Sequence, residues 1–91
     1  MATATERVET TLDAPIHPTN EQVGAEIRAW AGRRGVTQGA LAEALCIHPA
    51  TLNRKLKGSV AMSLDELTAI CSRLGVPVSK VLQDAEANSR R

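Results

Sequence analysis

The sequence predicts an all-α protein, a compact bundle of five helices. Three observations point there. Ala and Leu dominate an apolar share of 43%, while Tyr and Phe are absent and Trp30 is the only aromatic residue. That composition suits helices and is poor in the aromatic residues on which small β-barrels and sandwiches lean. Apolar residues recur at helical spacing, and no alternating run competes as a strand. Gly35, Gly58 and Gly75 each follow such a segment, where a left-handed glycine ends a helix. With 91 residues the chain amounts to one small domain, a size that buries only about 60% of its unfolded surface.

Residues 1–18 have no period; Thr, Ala, acids, Pro15 and Pro18 mark them as a leader. Thr19 and Gln22 then fit a capping box. Val23, Ile27, Trp30 and Ala31 share one helical face, with Trp30 expected to plug the core. Gly35 ends this first helix. Thr37 caps the second, whose stripe is Ala40, Leu41, Ala44 and Leu45, and which ends near Cys46. Ile47 and His48 form a short connection. Pro49 takes the favoured first position of a third helix, Leu52 and Leu56 face inward, and Gly58 closes it. Ser63 to Glu66 form a second capping box, followed by a stripe of Leu64, Leu67, Ile70, Cys71 and Leu74 up to Gly75. Pro77 prevents continuation. Ser79 is expected to cap a short fifth helix carrying Val81, Leu82 and Ala85. The organisation expected is a leader over 1–18, a helical domain over 19–86 and a frayed polar tail over 87–91.

The formal net charge of +1 conceals an uneven distribution. Residues 1–27 carry Glu6, Glu9, Asp13, Glu21 and Glu26 against Arg7, a balance of −4. Residues 28–58 carry Arg28, Arg33, Arg34, Arg54, Lys55 and Lys57 against Glu43, a balance of +5. The remainder is balanced. A basic block in the middle of the chain is an electrostatic footprint for nucleic acid, whereas the acidic leader would be repelled by phosphates. Within that block, two short helices are joined by a tight connection and the second carries the basic residues, which describes a helix-turn-helix. Ala42 supplies the small residue needed where the two helices cross. Leu41, Leu45, Ile47 and Leu52 brace them from below. Pro49, Ala50, Asn53, Arg54 and Lys57 occupy the outer face of the second helix, flanked by Thr51 and Lys55.

Over Ile27–Leu82 the chain resembles the lambda-repressor/Cro-like (XRE) helix-turn-helix family. The matching pieces are IRAWAGRRGVTQ, ALAEALCIHPATLNRKLKG and SLDELTAICSRLGVPVSKVL, with Thr37-Gln38, Ala42, Leu45, Leu52, Gly58 and Leu74–Val76 in register together. The resemblance implies a lambda-repressor-like fold and double-stranded DNA as partner. It implies a phosphate contact at Gln38, base-edge contacts at Pro49, Ala50 and Arg54, and backbone contacts at Asn53 and Lys57. Three positions depart from the family pattern. Cys46 stands where the turn usually has Gly, His48 where a Ser-type cap is usual, and Gly39 where Glu is common.

The expected function is sequence-specific DNA binding by a small transcriptional regulator. Arg28, Arg33, Arg34, Lys55 and Lys57 would steer phosphates, and Arg54 would read a guanine. Pro49 and Ala50 would make apolar contacts that suit thymine methyls. His48 is open between a phosphate contact and an exposed turn residue. A length with no room for a sensing domain favours a phage- or prophage-type repressor. Because one helix offers too few base contacts to select a genomic site, a homodimer on a palindromic operator is expected. The alternative is an antitoxin-like or other protein-interaction module, docking a protein partner through the leader or the fifth helix.

Other chemistries find little footing. With a single aromatic residue the chain cannot stack successive bases as RRM and OB modules do. Cys46, His48, Cys71 and His17 have no metal-site spacing, and Cys71 belongs to an apolar stripe. No phosphate-cradling loop, nucleophile elbow or paired acid on an apolar face is present in the sequence. No enzyme activity, metal or cofactor is expected. Two cysteines, no signal-peptide pattern and no long apolar run fit a reduced, cytoplasmic protein.

Overall fold

The computed structural model describes residues 19–89, with side chains described to Asn88; the sequence's leader and His17 lie outside the described residues. Five helices follow in order: α1 Asn20–Arg34, α2 Gln38–Leu45, α3 Pro49–Leu56, α4 Leu64–Leu74 and α5 Val78–Ser89. The described residues contain no strand. α1 is the central packing element, touching α3, α4 and α5, while α2 lies against α3 and α4, and α4 meets α5.

The helix boundaries follow from local chemistry. Thr19 and Gln22 bond reciprocally to each other's backbone N–H, and Ser63 and Glu66 repeat the arrangement at α4. The Thr37 hydroxyl accepts from the Ala40 N–H at 3.1 Å. Gly35 and Gly75 end α1 and α4 at φ 69° and 73°, a left-handed conformation open to glycine without a Cβ clash.

One apolar cluster holds the bundle together. Ile27, Leu41, Leu52, Leu56, Ile70, Val81 and Ala85 are fully buried, and Cys71 sits among them. Burial pushes the Cys71 thiol up from its ordinary value.

Four expectations need correction. Leu64 does not join the α4 stripe: it is 71% exposed, because as the first helical residue it projects back past the end of α4. Ala44 is exposed. α2 turns Leu41 and Ala42 into the core with Leu45 at its margin, and Ala44 falls beyond that arc. Trp30 is half-buried and lies at the rim of the core rather than filling it. Its indole N–H donates to Asp84 Oδ2 at 3.3 Å, and the Arg33 and Arg34 guanidiniums stand over its ring, 4.7 and 5.4 Å from the centroid. Ser79 is not the cap of α5. That helix begins at Val78, and the Pro77 carbonyl accepts from the Lys80 and Val81 N–H groups. α5 also runs on to Ser89, and the Asn88 side-chain amide bonds the carboxylate of Glu26, a buried acid on α1.

Candidate nucleic-acid interface

α2, the turn at Cys46–His48 and α3 form the centre of the site. Cys46 is left-handed, at φ 57° and ψ 40°, and is the only non-glycine residue with positive φ among the described residues. Its N–H donates to the Glu43 carbonyl, and the Ile47 N–H donates to the Ala42 carbonyl, both at 3.0 Å. This pair of bonds is the usual left-handed helix stop, here built on a cysteine. It costs the chain about 1 kcal/mol relative to glycine. Ala42 is buried at the α2–α3 crossing, with Leu45 and Ile47 packed beside it.

His48 caps α3. Its Nδ1 accepts from the Ala50 N–H at 3.1 Å, and its carbonyl accepts from the Thr51 and Leu52 N–H groups at 2.9 and 3.1 Å. Leu52 and Leu56 then fix the inner face of α3 in the core. Pro49, Ala50, Arg54 and Lys57 are exposed on the outer side, and Thr51 and Asn53 are half-buried beside them. Arg54 Nη2 donates to Thr51 Oγ1 at 3.4 Å, which lays the guanidinium back along the helix. Gln38 is exposed at the first residue of α2.

A family model described as a helix-turn-helix domain matches residues 22–82. The chain belongs to the helix-turn-helix family, in its lambda-repressor/Cro-like branch. No curated protein sequence matches it. Solved structures do, among them two of the clp gene regulator ClgR from Corynebacterium glutamicum. The first is 33% identical with a TM-score of 0.70, covering 79% of this chain and 92% of that one. The second is 32% identical with a TM-score of 0.74, covering 81% and 79%. Family and neighbours together support DNA-binding transcriptional regulation. Among the described residues no His, Cys, Asp and Glu side chains cluster as a metal site. No helix there is long and apolar enough to cross a membrane.

The helix-turn-helix places its basic residues unequally. Lys55 is turned away from the outer face: its Nζ donates to the Ala61 carbonyl at 3.1 Å and to Glu66 Oε1 at 3.2 Å, with 12% of the side chain exposed. Arg28 Nη1 donates to the Leu56 carbonyl at 3.1 Å. Arg33 and Arg34 lie over Trp30. Arg54 and Lys57 are the two basic residues of α3 and its C-terminal end that the fold leaves outward. Glu66 is held below its ordinary carboxylate range, first by the Ser63 backbone N–H and then by Lys55, against the opposing effect of desolvation.

Sequence reasoning missed the contacts that seat α3. A Cβ on Gly24 would lie 1.8 Å from the Leu56 carbonyl oxygen, so α1 and α3 touch backbone to backbone there. Arg28, one turn on, donates to that same oxygen. A Cβ on Gly58, at φ 84°, would meet the Glu21 backbone nitrogen at 2.9 Å. An isolated glycine within a strong helical pattern, as at Gly24, is the signal that was available. The Lys55–Glu66 and Glu26–Asn88 pairs span different helices and leave no local trace in the sequence.

Proposed function

We propose that this protein binds double-stranded DNA sequence-specifically and regulates transcription, with α3 as the helix that enters the major groove. The observation that carries this is the two-sidedness of α3. Leu52 and Leu56 are buried, and Pro49, Ala50 and Arg54 stand outward on the opposite face. Arg54 then reads a guanine through its paired donors, and Pro49 and Ala50 offer apolar surface to thymine methyls. Gln38, at the start of α2, joins Asn53 and Lys57 in holding the phosphate backbone, the ordinary division between base reading and positioning. Thr51 acts beside them on α3, His48 caps the start of that helix, and Lys55 acts through its bond to Glu66 more than through phosphate.

One α3 offers about three base-reading side chains, too few to select one genomic site. A homodimer supplies two such helices, spaced by about 34 Å on one face of a palindrome. Both solved neighbours are described as regulators of clp genes, which favours control of a cellular gene over a phage-type repressor's role. Such a protein acts in the cytoplasm.

The test is a pair of alanine variants titrated on a selected operator and on random duplex. Arg54→Ala weakens the operator by about 1–3 kcal/mol and leaves random duplex nearly unchanged. Lys57→Ala weakens both alike and lowers the salt dependence. Equal losses on the two duplexes with Arg54→Ala would remove the base-reading assignment.

A further inference from the structure

We propose that His48 is a positioning residue for DNA binding: as a neutral imidazole with its proton on Nε2 it closes the first turn of α3, and protonation opens that turn. This rests on α3 being the DNA-reading helix. The argument begins with the donors at the start of α3. Pro49 has no N–H to satisfy. The Thr51 and Leu52 N–H groups both go to the His48 carbonyl. Ala50 is thus the first-turn donor that depends on a side chain, and its acceptor is His48 Nδ1 at 3.1 Å.

An imidazole nitrogen that accepts a hydrogen bond carries no proton, so in the neutral ring the proton sits on Nε2. Protonation makes both nitrogens donors. Nδ1–H then faces the Ala50 N–H, donor against donor, and a cation stands at the positive end of the α3 dipole. Both effects oppose the closed turn. Pro49 and Ala50, both exposed, belong to the turn that loosens.

No charged side chain among the described residues bonds the imidazole. The turn itself holds the Cys46 thiol. α2 carries Glu43, α3 carries Arg54 and Lys55 with Lys57 beyond its end, and α4 contributes Asp65, Glu66 and Arg73. α1, packed on α3, carries Glu21, Glu26, Arg28, Arg33 and Arg34. Lys55 is paired with Glu66 and Arg28 with the Leu56 carbonyl. Among the described residues the bond to Ala50 is the one made by the imidazole.

The experiment compares wild type with His48→Asn, whose side-chain oxygen caps without titrating, and His48→Ala, which has no cap. Nitrogen-15 NMR of the free wild-type protein near neutral pH reads the tautomer; Nε2–H is expected, and a majority of Nδ1–H overturns the proposal. Amide exchange at Ala50, corrected for intrinsic rate, is expected to accelerate in wild type on acidification and to stay constant in His48→Asn. On operator duplex, wild type should lose roughly three- to tenfold in affinity relative to His48→Asn on acidification, the span a lost cap produces. His48→Ala should be weak throughout. If wild type instead tightened relative to His48→Asn on acidification, His48 would be acting as a phosphate-binding cation and the proposal would fail. Should no variant bind duplex DNA, the DNA-reading assignment fails, while the tautomer and the Ala50 exchange still decide the capping role in the free protein.

Discussion

Two glycines on the same helix should respond to alanine with opposite sign. Gly24 and Gly32 both lie in α1. An alanine in a helix interior is worth about 0.8–1 kcal/mol over glycine. At Gly32 a Cβ meets nothing within 4 Å, so Gly32→Ala should realise that gain, raising Tm by roughly 4–8 °C. At Gly24 the added carbon would lie 1.8 Å from the Leu56 carbonyl oxygen and 2.5 Å from its carbon. An ordinary carbon–oxygen contact is about 3.3 Å, so α3 must retreat from α1 by more than an ångström. Overpacking of that kind costs about 1–3 kcal/mol. The retreat also stretches the Arg28 bond to the same carbonyl, worth about 1 kcal/mol at a partly buried site. After subtracting the propensity gain, Gly24→Ala should destabilise by about 2 kcal/mol, which separates the two variants by about 3 kcal/mol. Urea denaturation of wild type and both variants, with m-values compared, measures this directly. A Gly24→Ala protein as stable as Gly32→Ala would refute the close approach of α1 and α3.

Further outcomes follow from the same contacts. Cys46→Gly should stabilise by about 0.5–1 kcal/mol, relief of the left-handed residue outweighing the added freedom of the unfolded chain; a loss of stability on thermal unfolding would contradict the turn geometry. A thiol reagent should label exposed Cys46 quickly and buried Cys71 only on unfolding, and fast labelling of both in native buffer would contradict that burial. Glu66→Gln keeps the capping-box acceptor but removes the charge facing Lys55, and should cost about 1 kcal/mol at neutral pH. Because folding lowers the Glu66 carboxyl from its ordinary 4.5, its contribution is present above that value and is lost as pH falls through the lower folded one. The wild-type advantage should therefore shrink on acidification, and an advantage that grew would reverse the assignment.

Much of this architecture could be read from residue order, because its determinants are local. Thr19 with Gln22 and Ser63 with Glu66 are pairs three residues apart, and each forms a capping box in the structure. The glycine stops and Pro49 act through their own backbone preferences. Errors arose where a residue's fate depends on a neighbour distant in sequence. Leu64 and Ala44 are apolar and close to the periodic positions, yet exposure is decided by where α4 begins and which arc of α2 meets α3. Trp30 is held at the rim by Asp84 on α5, and α5 outlasts its apolar stripe because Asn88 finds Glu26. In the site the same division holds. The outward places of Pro49, Ala50 and Arg54 follow from helical period once Leu52 and Leu56 are known to be inside. The inward turn of Lys55 does not, since its partners Ala61 and Glu66 lie across a loop.

These contacts give α3 a mechanical description. Its start is fixed by the left-handed Cys46 and the His48 cap, and its end by the Leu56 carbonyl, where Gly24 leaves room and Arg28 donates. Its connection to α4 is fixed by Lys55, which ties the loop carbonyl of Ala61 to the Glu66 that closes the α4 cap. A short helix of 8 residues has too little intrinsic stability to hold a position on its own. Restraint at both ends and at the exit is what lets its outer side chains be placed within the tolerance that base reading demands. The restraints use backbone groups, the Ala50 N–H and Pro49 at the first position among them, together with glycine and the side chains of Arg28, His48 and Lys55, and none draws on the side chains of Ala50 or Arg54. Substitutions of those two side chains can therefore alter which sequence is preferred while leaving the pose of α3 intact. Substitutions at Gly24, Arg28, Lys55 or His48 should weaken all duplexes together, because they act on the pose itself.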